Sequence, residues 1–363
     1  MSDNEIITNN LLEVENAASA LRASVPVVSY GEESSFYLIH AVENCDKESL
    51  ERFDKISEAP ISLVISAKRA EILSANKKFK NAVLVNSDKI NLREIYSLAG
   101  LSGEIIKNIP VMKEADKNIA ATIILAKIAE ILPALFISSI TKKAVEELCK
   151  KYVKVSVSSI KSYEKDSVQM LREVCSAPLK LAACGDAEIK VFQSVGKEHY
   201  AIIVGNPETQ DSPMVRIHSS CFTGDLLGSL KCDCREQLHG ALEYMKKNGG
   251  GVLLYLMQEG RGIGLVNKLR AYKLQSDGMD TVEANEFLGF EDDERPYLLA
   301  AEIMKRIGLK KIKLITNNPR KMKGLADYGI KVTKRVSLII EPHEHNDSYL
   351  ETKFTRLGHL SEK

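Results

Sequence analysis

The sequence predicts an α/β (α+β) protein of two domains, 1–175 and 176–363, and three observations carry that prediction. Helical stripes and short apolar runs alternate along the first half, the pattern of a mixed sheet covered by helices. The chain has 363 residues, more than the roughly 100–200 that one domain takes. The texture then changes near Pro178, where long period-two strands give way to a segment holding three cysteines.

The first half reads in order as follows. A helix spans about Asn10 to Ala23, and VPVVSY and FYLIHAVEN are strands. ESLERFDKI is a helix, SLVISA a strand, AKRAEILSAN a helix and NAVLVN a strand. The run Ile119 to Ile140 resembles a membrane span in hydropathy, but Lys127, Glu130 and Pro133 interrupt it. A charge near the centre of a span costs about 2.5–3.5 kcal/mol, so a buried helix followed after Pro133 by a strand is expected. KKAVEELCKK is a helix, VKVSVS a strand, and Ser162 to Ala177 a charged helical connector. The lone histidine of this half, His40, lies in a strand pattern and is expected to pack rather than to act.

Composition narrows the function. At 44% hydrophobic and 27% charged the chain is an ordinary globular protein. Its 50 basic and 49 acidic side chains nearly cancel, which gives no general attraction to nucleic acid or to a membrane. Seven cysteines, an odd number, and the polar start MSDNEIITNN favour a reducing, cytoplasmic setting.

In the second half KLAACGDAEIKVFQS and EHYAIIVGN are antiparallel strands that turn at Gly196-Lys197, and PMVRIHSS is a strand running into Cys221. Cys221, Cys232 and Cys234 gather in one turn-rich stretch. Three thiolates suit zinc, and a site that stops at three protein ligands keeps a position open for water. A helix with its stripe at Leu238, Ala241, Leu242 and Met245 follows, then the strand GGVLLYLMQ. The strand ends in EGRGIG, Glu259 to Gly264, a glycine-rich turn before a helix that is either a plain tight turn or an anion site, and Arg261 inside it favours the anion. NKLRAYKLQ is a helix carrying Tyr272, and SDGMDTVEANEFLGFEDDERPY is an irregular polar stretch with Thr281, Asp293 and Arg295. RPYLLAAEIMKRIG is an amphipathic helix and KIKLIT a strand ending at Thr316. A turn at Asn317-Asn318-Pro319 then opens a helix bearing Arg320 and Lys321.

The motifs RIHSSCFTGD, SLKCDCREQL, LLYLMQEGRGIGLVNKLRAYKLQ, DTVEAN, LGFEDDER, LITNNPRK and HNDSYLETKFTRLGHL occur in this order from about Pro178 to Leu360. With them the second half resembles GTP cyclohydrolase II of riboflavin biosynthesis. That resemblance implies zinc, one per subunit, on Cys221, Cys232 and Cys234, with its water attacking C8 of guanine and formate leaving. It implies Asp293 as proton acceptor, Tyr272 as active-site tyrosine, and Arg295 at the α-phosphate, where a guanidinium suits a charge clamp better than a nucleophile. It places GTP contacts on Arg216, Ile217, His218, Ser219, Ser220, Gln237, Glu259, Gly260, Arg261, Thr281, Thr316 and Lys321. The resemblance also implies magnesium accompanying the triphosphate and a homodimer as the working form. Ser220 departs from the family, standing where many members carry glutamate.

The first half, from roughly Leu11 to Val174, resembles a 3,4-dihydroxy-2-butanone 4-phosphate synthase without its catalytic groups. Of the acidic motif only Glu33 remains, with Ser34, Ser35, Phe36 and Tyr37 in the other places. Asn118, Ile124 and Ser139 stand at a histidine, an aspartate and a glutamate, and none replaces a magnesium-binding carboxylate. The resemblance implies a non-catalytic domain. Two other readings stay open on sequence: a zinc-stapled nucleotide-binding or regulatory protein without turnover, and a bifunctional enzyme with an active N-terminal half.

Overall fold

The computed structural model describes residues 3–75, 77–86 and 91–338, and the chain divides into two compact units. One unit is Met1–Asp166 with Val266–Glu294; the other is Ser167–Leu265 with Arg295–Lys363. The expected α/β class with mixed sheets holds in each.

The first unit opens with α1 (Asp3–Arg22), β1 (Val27–Tyr30), β2 (Phe36–Ala41) and α2 (Lys47–Ile56). β3 (Ser62–Ile65), α3 (Ala67–Leu73), β4 (Val83–Asn86) and α4 (Leu92–Ala99) follow. Then come β5 (Met112–Glu114), α5 (Lys117–Ile128), β6 (Ala134–Ser139), α6 (Lys142–Leu148), β7 (Lys154–Ser156) and α7 (Val157–Gln169). The strands form one sheet in the order β5-β4-β3-β6-β2-β1-β7, antiparallel except where β1 meets β7. α1 turns Leu11, Val14, Ala17, Ala18 and Leu21 inward at helical spacing, each fully buried. Burying a leucine of this kind is worth about 1.5–3 kcal/mol. Val14, Leu21, Leu125 and Ala126 form one core with Ile39 and Ile137, while Phe53, Ala70 and Leu98 form another with Leu38 and Phe136. Because β2 and β6 are covered on both faces, they read as continuous apolar runs. His40 is a packed residue: its Nδ1 lies 2.8 Å from the Ala41 carbonyl and its ring meets Phe53 edge-on.

The second unit begins with β8 (Arg172–Leu181), β9 (Gly185–Ser194), β10 (Lys197–Gly205) and β11 (Met214–Ser219). α8 (Cys234–Lys247), β12 (Gly250–Leu256) and the single turn α9 (Glu259–Gly262) follow. The chain next contributes α10 (Leu265–Ser276) and α11 (Thr281–Phe287), and Val266–Glu294 belongs to the first unit. α12 (Leu298–Arg306), β13 (Lys311–Ile315), α13 (Pro319–Asp327) and β14 (Lys331–Val336) complete the second unit. Its sheet runs β14-β13-β11-β12-β10-β9-β8. β12, β11, β13 and β14 are mutually parallel, and β8, β9, β10 and β12 pair antiparallel.

Two stretches differ from the sequence reading. The connector expected to be helical through Ala177 ends its helix at Gln169 and becomes the edge strand β8. That strand is exposed on both faces, so no apolar alternation marks it. The irregular stretch after Gln275 contains α11, which opens with a capping box: Asp280 accepts from the Glu283 N–H, and Glu283 accepts from the Asp280 N–H. The side chain of Glu33, and the tail with His343 and His345, lie outside the described residues.

Candidate functional site

Three parallel strands of the second unit, β11, β12 and β13, bring their carboxyl ends to one edge of the sheet. That edge is where open α/β sheets bind ligands. The loops leaving it are Ser220–Asp233, Gln258–Gly264 and Thr316–Asn318, so residues far apart in sequence meet there.

At the end of β11 the Ser220 N–H donates to the Leu256 carbonyl at 2.8 Å, which carries the register of β11 and β12 one residue past the strand. Cys221, Cys232 and Cys234 follow with their sulfurs all within 4.8 Å of one another. A tetrahedral zinc with Zn–S of about 2.3 Å sets sulfur–sulfur edges of about 3.8 Å. Cys221 Sγ and Cys232 Sγ lie 3.8 Å apart, so the triangle fits that ion. Gly224 permits the approach: a Cβ there would stand 2.8 Å from Cys232 Sγ and 3.0 Å from Cys221 Sγ. Its N–H donates to Cys221 Sγ at 3.3 Å. Hydrogen bonding to the Cys221 thiol, together with burial, pushes Cys232 up to about 11, and the neighbouring thiols push Cys234 well up. Such a cluster ionises when a cation takes the charge.

Asp225 holds this loop in shape. Its carboxylate accepts from the Cys221 N–H at 2.9 Å, from Tyr255 Oη at 2.9 Å and from His218 Nε2 at 3.1 Å. The His218 ring stacks on Tyr255 with centroids 5.5 Å apart, and burial lowers the histidine's pKa. Asp225→Asn keeps the volume and one acceptor oxygen but removes the charge and puts an amide donor against His218 Nε2. Groups that orient metal ligands are typically worth about 10–100-fold in metal affinity. Zinc affinity measured by competition with a chromogenic chelator is expected to fall on that scale; an unchanged affinity would remove Asp225 from this role.

Beside the thiols lies a basic cradle. Arg216, buried on β11, donates to the Ile315 carbonyl at 3.2 Å and to Gln237 Oε1, while Gln237 donates to Asp233. Lys321 reaches from α13 to the Ile217 carbonyl at 3.0 Å. Arg295 donates to Ser219 Oγ at 3.3 Å, and Thr316 Oγ1 accepts from the Asn318 N–H at 3.0 Å. Glu259 accepts from the Phe222 N–H at 2.7 Å, tying the glycine-rich turn to the cysteine loop. Gly260 and Arg261 both take left-handed backbone angles, with φ of 62° and 63°. For arginine that conformation is uncommon and is found where surrounding structure enforces it. Arg216 Nε and Ser220 Oγ are buried without a hydrogen-bond partner.

The second unit thus brings together the thiols, Arg216 to Ser220, Gln237, Glu259 to Arg261, Arg295, Thr316 and Lys321. Tyr272, Thr281 and Asp293 lie on the segment that belongs to the first unit. There Tyr272 sits one turn along α10 from Lys268, whose Nζ is 5.6 Å from the tyrosine ring centroid. Thr281 is the first residue of α11.

Comparison with known proteins decides the family. The chain is 38% identical over 360 residues to the GTP cyclohydrolase-2 of Azospirillum brasilense, covering 96% of this chain and 93% of that protein. The chain belongs to the GTP cyclohydrolase II family. A model of the family, GTP cyclohydrolase II, matches residues 172–337. The riboflavin biosynthesis protein RibBA of Bacillus subtilis (strain 168) is 55% identical over 166 residues, 46% of this chain and 42% of that one. Among solved structures, RibBX from A. baumannii, a two-domain 3,4-dihydroxy-2-butanone 4-phosphate synthase, aligns with 90% of this chain and 99% of its own. Its TM-score is 0.36 and its identity 16%.

For a GTP cyclohydrolase II the sequence reading missed Asp225 and Tyr255. Asp225 stood inside the CFTGD motif without a role, and only its position beneath the cysteine loop shows what it holds. Tyr255 looked like one more apolar strand residue until pairing with β11 placed it opposite His218.

Proposed function

We infer that this GTP cyclohydrolase II, an enzyme of riboflavin biosynthesis, hydrolyses GTP to formate, diphosphate and a diaminopyrimidinone phosphoribosyl product. In this reading Cys221, Cys232 and Cys234 hold one zinc ion and magnesium accompanies the triphosphate. Bound zinc would supply Lewis acidity and lower the pKa of a water toward the neutral range.

The chain's own groups do the rest. Asp293 accepts the proton of the water that adds to guanine C8, and Tyr272 hydrogen-bonds the opening ring. Arg295 clamps the charge that develops as diphosphate leaves, a job that suits a permanently protonated guanidinium. Arg261 and Lys321 bind phosphate oxygens beside the glycine-rich turn, and Gly260 lets its backbone approach them closely. Glu259, Gln237, Thr281, Thr316 and the Arg216–Ser220 strand bind the rest of the nucleotide. The observation that carries this reading is the thiol triangle lying beside Arg216 Nε and Ser220 Oγ, two buried polar atoms without protein partners. Buried polar atoms are almost always paired, and a nucleotide supplies acceptors and donors for both. Ser220 therefore binds substrate through its hydroxyl, without the charge many relatives place there.

A homodimer belongs to the same reading, supported by the exposed edge strand β8 with Val174 and Leu179 open to solvent. So does a reducing cytoplasm, which keeps the three thiols available.

The test is direct. Purified protein given GTP and magnesium is expected to release formate and diphosphate in equal amounts, to stop on chelation and to recover with zinc. Zinc bound in full without formate would overturn the reading.

A further inference from the structure

The N-terminal half makes a dense set of contacts with one piece of the second half. Lys127, Glu130 and Pro133, the three residues that break the apolar run of α5 and β6, all turn to the segment Val266–Glu294 inside the first unit. Lys127 Nζ pairs with Glu294 at 2.5 Å. The Glu130 carbonyl accepts from the fully buried Asn267 at 2.9 Å. Pro133 stands so close to Gly289 that a Cβ there would lie 3.0 Å from its ring.

Further anchors surround these three. Lys68 pairs with Glu286 and Glu291, each at 3.4 Å. Glu43 pairs with Arg270 at 2.9 Å, and Ser66 donates to the Gly289 carbonyl at 2.6 Å. Arg69, 1% exposed, donates to the carbonyls of Ser97, Leu98 and Phe287 and lies over the Phe287 ring at 4.2 Å. A buried guanidinium with each of these bonds made fixes the backbone it touches, since losing any one leaves a desolvated charge.

These anchors bracket chosen points. Arg270 is two residues before Tyr272, and Glu291 and Glu294 stand on either side of Asp293. We propose that the N-terminal half is a positioning element of the cyclohydrolase reaction, in which Lys68 and Lys127 set the 291–294 turn and so the placement of Asp293. The inference rests on the reading of Asp293 as proton acceptor. It gives a half without catalytic groups of its own a reason to be kept: a misplacement of about 1 Å at a reacting group costs on the order of a hundredfold.

The experiment uses the full-length, zinc-loaded protein. The double variant Lys68→Met, Lys127→Met keeps the aliphatic stems and removes both charges. Its kcat for formate release is expected to fall by about ten- to a hundredfold, with zinc content kept and KM for GTP within about twofold. Lys68→Arg with Lys127→Arg, which restores the charges, is expected to recover most of the rate. Wild-type turnover in the methionine variant, while Asp293→Asn is inactive, overturns the inference. A rate that falls together with zinc content or melting temperature, and that arginine does not rescue, shows a structural role only and overturns it too. Full turnover in Asp293→Asn would instead sink the reading on which the inference rests.

Discussion

Cys232→Ser is expected to strip the metal and bring formate release to background. A serine hydroxyl does not ionise near neutral pH, so the site drops from three anionic ligands to two, and zinc sites are built from three or four. Without the ion the attacking water loses the acidity that bound zinc would supply, and turnover falls by at least about 10³-fold. Cys232 is 3% exposed and outside the large apolar core of the second unit, so the sheet should persist. Zinc content by mass spectrometry, formate release and circular dichroism separate the effects: metal and activity lost, secondary structure retained. Cys175→Ser is the control, because Cys175 is exposed on β8 and away from the cluster. Full zinc content and activity in Cys232→Ser would show that this thiol is not a ligand.

How much of this was legible in the sequence depends on how local each signal is. The cysteines stood within one stretch, and ligand chemistry alone pointed to zinc. Strands such as β6 and β12 were readable because burial on both faces leaves unbroken apolar runs. β8 was not, because neither of its faces is buried. α11 was readable in principle, since DTVE before an apolar step is a capping box, but the surrounding acidic residues hid it. Partners were the least legible. Phe287 and Asn267 are buried, yet nothing local in the sequence says that Arg69 and Glu130 are what they meet. The charges within the apolar run Ile119 to Ile140 excluded a membrane span, and among the described residues no helix is long and apolar enough to cross one. What these residues do became visible only with the fold: Lys127 pairs with Glu294, while Glu130 offers its backbone carbonyl to Asn267.

The same division between local and distant information makes Asp293 the more searching test of the chemistry. Asp293→Asn preserves size and much of the hydrogen bonding but removes the only form of the side chain that takes a proton. General-base groups contribute about 10²–10⁴-fold, and kcat is expected to fall within that range while zinc content stays whole and KM for GTP changes little. The pH profile gives a second, independent reading. If the carboxylate is the base, the wild type loses kcat as acid protonates it in the substrate complex, and that acidic limb is expected to be absent in the asparagine variant. A substrate-binding role would instead raise KM and leave the limb in place. A variant with unchanged kcat would move the proton acceptor elsewhere, and Tyr272→Phe, assayed beside it, would show whether the tyrosine on the same segment carries that work. Because both residues ride on Val266–Glu294, a rate loss in either variant with zinc intact also identifies this segment, held by the first unit, as part of the catalytic machinery.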